Sequence, residues 1–145
     1  KKLPFKDKEF DFVVASHVME HVEYIDFFIK ELERVSKKGY IELPTKLEDN
    51  LVFENKKDHL WHMDFDDVEN KLVVSKKVQY FEPVLTVSTT KKLNEVFRTS
   101  LVLELIWEDS INYIVNKSTE GAFKKISVLN LLRKYFSKRL RMLFK

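Results

Sequence analysis

Phe10-Asp11-Phe12-Val13-Val14-Ala15-Ser16 is followed by the segment Tyr24 to Ser36 and then by Tyr40-Ile41-Glu42-Leu43, and the succession of these three decides the fold class. The first is a short, nearly continuous apolar run with β-branched residues, the pattern of a strand covered on both faces of a parallel sheet. In the second, Ile25, Phe28, Ile29, Leu32 and Val35 recur at steps of three and four, with Lys30, Glu31, Glu33 and Arg34 on the other side. That is the period of an amphipathic helix. Lys37-Lys38-Gly39 places cations near the helix C-terminus and a glycine where a left-handed cap is expected. The third segment is a second strand, stopped by Pro44. Strand, helix and strand in about thirty-five residues make a right-handed βαβ unit, so an α/β class is expected.

Outward from this unit the pattern weakens. Residues 45–62 are polar and poorly periodic and read as a long loop. Leu60, Trp61, Met63 and Phe65, then Leu72-Val73-Val74, predict a hairpin with its turn near Glu69-Asn70. Lys91 to Arg98 predicts a helix, and Leu101 to Trp107 and Ile111 to Val115 predict strands broken at Glu108-Asp109-Ser110. From Ser127 to Lys145 the polar residues advance by steps of three, one and four while Val128, Leu129, Leu132, Tyr135, Phe136, Leu140 and Leu143 fill the other face. This is a basic amphipathic helix, which either docks on the domain or meets an anionic membrane surface or a partner; nucleic acid is not the expected ligand.

The 145 residues, 44% apolar and 13% aromatic, suffice for one core and are too few for two ordinary domains. No run approaches the roughly 18 apolar residues of a spanning helix, no signal-peptide stretch opens the chain, and cysteine is absent, so a cytoplasmic protein is expected. The charge is uneven. Residues 1–120 hold 18 basic and 23 acidic residues, whereas eight basic residues and no acid follow Glu120. That asymmetry suggests an electrostatic role for the tail.

Leu3-Pro4-Phe5-Lys6-Asp7-Lys8-Glu9-Phe10-Asp11-Phe12-Val13-Val14 resembles the stretch leading into the fourth strand of class I S-adenosylmethionine-dependent methyltransferases. Ser16-His17-Val18-Met19-Glu20-His21-Val22 resembles the segment opening that family's next helix, and Glu31-Leu32-Glu33-Arg34-Val35 with Lys37-Lys38-Gly39 resembles its approach to the fifth strand. The likeness covers residues 3–44, and the later strands fit loosely as the sixth and seventh of the same sheet. It implies a partial Rossmann-like doubly wound sheet, fourth strand onward, over residues 1–120, with residues 121–145 as the helical tail. It also implies S-adenosylmethionine as cofactor, lying across the carboxyl ends of the strands, where Ser16 and His17 would hydrogen-bond its amino-acid end or orient a substrate. Alternatively the two residues cap the following helix. The family's glycine-rich cofactor loop has no counterpart, because Gly39 and Gly121 are the only glycines. The chain is therefore expected to be the C-terminal part of the domain, preceded by a segment carrying that loop, and to bind cofactor weakly without it.

His59-Leu60-Trp61-His62 lies at the end of the long loop beside Asp58 and Asp64. Two histidines three apart lack a third convergent ligand, so no metal is expected. If the loop overhangs a methyl acceptor, His59 or His62 would be the general base and Trp61 an apolar wall; Trp61 as plain core is the alternative. Glu20, Glu42, Glu108 and Asp109 show no readable pairing and default to solvated or salt-bridged roles. Two functions remain: methyl transfer to an unidentified acceptor, or a non-catalytic methyltransferase-like module serving as a partner subunit or membrane-peripheral scaffold. An uncovered edge of the first strand predicts association, either as a homo-oligomer or with the missing N-terminal half.

Overall fold

The computed structural model describes residues 2–116 and 127–143. The expected boundary between residues 120 and 121, and Gly121, lie outside the described residues. Strand β1 (Val13–Ser16) leads through a short 3₁₀ turn, Met19–His21, into helix α1 (Ile25–Val35) and strand β2 (Lys38–Pro44). Helices α2 (Lys46–Leu51) and α3 (Asn55–Asp58) precede the hairpin of β3 (Trp61–Asp66) and β4 (Lys71–Lys76). Helix α4 (Val87–Leu101), strands β5 (Val102–Glu108) and β6 (Tyr113–Asn116), and helix α5 (Val128–Leu143) follow. The architecture is mixed α/β with two three-stranded mixed sheets. In the first, β2 pairs parallel with β1 and antiparallel with β5; in the second, β4 pairs antiparallel with β3 and parallel with β6.

The core lies where Ala15, Ile41 and Leu43 of the first sheet meet Ile25, Ile29 and Leu32 of α1 and Trp61, Met63, Leu72 and Val74 of the hairpin. The predicted hairpin is present. Asp66 Oδ1 accepts from the backbone N–H groups of Val68 and Glu69 at 3.0 and 3.1 Å, and Asn70 takes φ +50°, which closes the turn. The Glu31-x-x-Arg34 pair acts as a clamp on the N-terminal segment. Arg34 donates to both Glu31 oxygens at 2.7 and 2.8 Å, to Asp7 at 2.8 Å and to the Phe5 carbonyl at 2.8 Å, while Leu3 N–H donates to Glu31 at 2.7 Å. Arg34 beside it holds the Glu31 carboxyl down to about 2.

Four expectations are corrected. Gly39 has no positive φ and lies inside β2; α1 ends instead on extended Ser36, whose N–H donates to the Leu32 carbonyl at 3.2 Å. The glycine is required for another reason: a Cβ there would stand 2.6 Å from Nε1 of the buried Trp107 indole, its cross-strand neighbour. Strand β1 is not covered on both faces. α1 covers Ala15, whereas Val14 and its neighbour on the far strand, Ile106, are 62% and 78% exposed. Residues 45–62 are not an irregular loop, because Thr45 Oγ1 caps α2 by accepting from Glu48 N–H at 3.4 Å and the helix buries Glu48, Asp49 and Asn50. The last two strands do not share one sheet. Asp109, at φ +62°, redirects the chain after β5, and β6 joins the hairpin.

The buried polar face of α2 joins it to the hairpin. Asp49 Oδ2 lies 3.4 Å from His62 Nε2, and Lys77 Nζ lies 3.6 Å from Oδ1. Asn50 Oδ1 accepts from Tyr80 N–H at 2.6 Å, and the His62 ring stacks on Tyr80 with centroids 6.0 Å apart. Burial pushes the His62 imidazole down to about 4, against the attraction of Asp49, so the ring is neutral in the fold at neutral pH.

Replacing Gly39 with Ala forces a methyl against the buried Trp107 ring. The urea midpoint is expected to fall by the equivalent of about 1–3 kcal/mol; an unchanged midpoint would mean that the indole has room to move. Between the unfolded value near 6.5 and about 4, the unfolded chain takes up a proton at His62 that the fold refuses, so stability falls as pH falls through that window. Wild type should lose about 3 kcal/mol more than His62→Gln between pH 7 and 4 in denaturant titrations; equal losses would rule out a buried neutral imidazole.

Candidate functional site

A cleft of about 350 Å³ opens at the carboxyl ends of β1 and β2, walled by α2, α3 and α4. Its floor comes from the strand ends. His17 follows β1 directly with φ +51°, a conformation uncommon outside glycine, and its N–H donates to the Glu42 carbonyl at 2.9 Å, extending the β1–β2 ladder by one bond. The His17 ring sits between two carboxylates, with Nδ1 3.4 Å from Glu20 and Nε2 3.4 Å from Glu42. The carboxylate of Glu20 raises its pKa above the usual histidine value, against the effect of partial burial. Ser16 Oγ donates to Glu42 at 2.9 Å. Burial alone would raise the Glu42 carboxyl, but hydrogen bonds from Tyr40, Ser16 and Arg98 outweigh it and hold it below the usual value.

The remaining walls carry opposed charges. Arg98 of α4 bridges Glu42 and Glu104, reaching the latter at 2.8 Å, and Lys91 lies along the same helix. Opposite them Glu48 is buried with Oε2 lacking a hydrogen-bond partner, and burial raises its pKa. The cleft therefore offers a cationic rim and a carboxylate with unused acceptor capacity.

The fold brings His17 and His59 together in the lining of this cleft, while Ser16 reaches it only through its bond to Glu42. It separates His59 from His62. Asp49 lies between the two histidines, bonded to His59 Nδ1 on one side and near His62 on the other, and His62 is enclosed with Asn50 and Tyr80. Trp61 is also in the core, with Nε1 donating to the Val22 carbonyl at 2.7 Å and Lys76 Nζ 3.8 Å above the ring.

Three residues of the site were not legible as such. Glu20, expected to be solvated or salt-bridged, is fully buried beside His17 and His21, and neither carboxylate oxygen has a hydrogen-bond partner. His21 stands edge-on to His59 with ring centroids 4.6 Å apart. Asp49 is buried at the centre of the polar junction. Asp58 and Asp64, the carboxylates adjacent in sequence, play no such part: Asp58 contributes its carbonyl to His21, and Asp64 pairs with Lys46 at 3.3 Å. The convergence depends on backbone pairing between segments forty residues apart, since Leu60 N–H donates to the Glu20 carbonyl at 2.7 Å.

No curated protein and no solved structure matches the chain. A family model described as a methyltransferase domain matches residues 1–41, the segment that supplies β1, the 3₁₀ turn, α1 and the first residues of β2. The cleft opens at the end of that segment's strand, and the likeness to a methyltransferase domain is confined to these residues, less than a third of the chain.

Proposed function

We propose that this chain is the C-terminal part of a Rossmann-like methyltransferase domain whose cleft takes the amino-acid end of S-adenosylmethionine. The observation that carries the reading is the position of a polar cleft at the carboxyl ends of the parallel β1–β2 pair, within the segment that matches a methyltransferase domain. Ligands of open α/β sheets bind at that edge. The residues fit one end of the cofactor: Ser16, His17 and the free oxygen of Glu48 accept or share protons with an ammonium, and Lys91 and Arg98 suit a carboxylate. The other end requires residues outside this chain, because two glycines cannot build the family's cofactor loop. The cofactor, when bound, supplies an electrophilic methyl group on a sulfonium. The chain's own contribution is to orient that end and to shield it behind α2 and α4.

Association follows from the same reading. β1 is an edge strand among the described residues, and the exposed Val14 and Ile106 add two apolar side chains to the outer sheet face, which suits either the domain's remaining half or a second copy. A second reading, a non-catalytic methyltransferase-like module resting on an anionic membrane through residues 127–145, is favoured by the exposed Leu132, Tyr135, Phe136 and Leu140 of α5 beside exposed Arg133, Lys134 and Arg139. No described helix is long and apolar enough to cross a membrane.

Calorimetric titration with S-adenosylhomocysteine tests the first reading. Residues 1–145 alone should not saturate, whereas a polypeptide that also carries a glycine-rich strand–turn–helix should, with Ser16→Ala weakening that binding by about 3–10-fold for one lost hydrogen bond. Absence of binding in both forms would leave the non-catalytic module.

A further inference from the structure

Glu20 presents an electrostatic problem. Its carboxylate is fully buried and neither oxygen accepts a hydrogen bond. Burying such an ion costs several kcal/mol unless a cation or a donor compensates. Among the described residues, the ring nitrogens within 4.0 Å of it belong to the imidazoles of His17 and His21.

His21 and His59, unlike His17, are arranged to bring lone pairs rather than protons. A carbonyl only accepts, so the 2.9 Å contact between His21 Nδ1 and the Asp58 carbonyl fixes the proton on Nδ1 and leaves Nε2, 4.0 Å from Glu20 Oε1, bare in the neutral ring. The contact of His59 Nδ1 with the buried Asp49 carboxylate does the same for His59. One ligand atom from each of Glu20, His21 and His59 lies within 4.8 Å of the other two. Bonds of about 2.1 Å put tetrahedral ligands about 3.4 Å apart, so a closure of up to about 1.4 Å, within reach of side-chain rotation, completes the set.

We propose that Glu20, His21 and His59 form a mononuclear site for a divalent transition metal of the zinc class, with Asp49 and the Asp58 carbonyl as the outer groups that set the two imidazoles. Two histidines and one carboxylate leave a coordination position for water, and His59 also lines the cleft. His59, expected from the sequence as a general base, is then a ligand, and a metal-bound water of lowered pKa takes over as the base. His17 stays outside the set, as a neighbour of Glu20.

The test is titration of the metal-free 145-residue chain with CoCl₂, followed by visible absorption, and with ZnCl₂ by calorimetry, without any cofactor. The outcome is thus independent of the methyl-transfer reading. One equivalent is expected to bind, with the intense d–d bands of a four- or five-coordinate site. His21→Gln, at a side chain 43% exposed and so compatible with folding, should weaken binding by about 100-fold, and Asp49→Asn by about 10–100-fold. His62→Gln should bind as wild type does. Failure of the wild-type chain to bind at millimolar metal overturns the proposal, and so does wild-type affinity in a His21→Gln protein whose circular dichroism is unchanged.

Discussion

A single buried carboxylate, Asp49, holds together parts of the molecule that the backbone ladders leave apart. It bonds His59, lies against His62 and faces Lys77, so that α2, the entry to β3 and the exit from β4 meet at one charge. An ion taken out of water is tolerated only when its partners are fixed, and here they are fixed by secondary structure. Burial lowers the pKa of Lys77 and of His62, and Asp49 opposes both shifts. The same carboxylate decides which nitrogen of His59 is free. Stability of the junction and the chemistry available in the cleft therefore have one cause.

The segment that resembles the methyltransferases acquires a physical meaning in the structure. Its Glu-x-x-Arg pair clamps the N-terminal segment onto α1, and its glycine makes room for an indole on the neighbouring strand. Its Met-Glu-His turn puts a fully buried carboxylate and an imidazole at the carboxyl end of β1. Residues that look like family signature are in part packing requirements, and in part the groups that give the cleft its charge.

The legible part of the fold was the part governed by apolar periodicity. The βαβ unit and the hairpin follow from it, because Ile25, Ile29 and Leu32, and Trp61, Met63, Leu72 and Val74, are both apolar and buried. α2 was illegible because it buries Glu48, Asp49 and Asn50, the reverse of the usual pattern. Partnering of β5 and β6 depends on the turn at Asp109, which sets direction without leaving an apolar signal. Ser16, His17 and His59 could be placed near a strand end or a loop end, but the separation of His59 from His62 by Asp49, and the approach of Glu20 and His21, are tertiary facts with no local spacing to announce them.

The most direct measurement is long-range ¹H–¹⁵N NMR of the four imidazoles in the metal-free chain at pH 8. The account predicts that His21 and His59 each carry their proton on Nδ1, leaving both Nε2 atoms bare. The Nε2-protonated tautomer of either ring would contradict it, because Nδ1 would then have no proton to give to the Asp58 carbonyl or the Asp49 carboxylate, and the three groups could not converge on an ion.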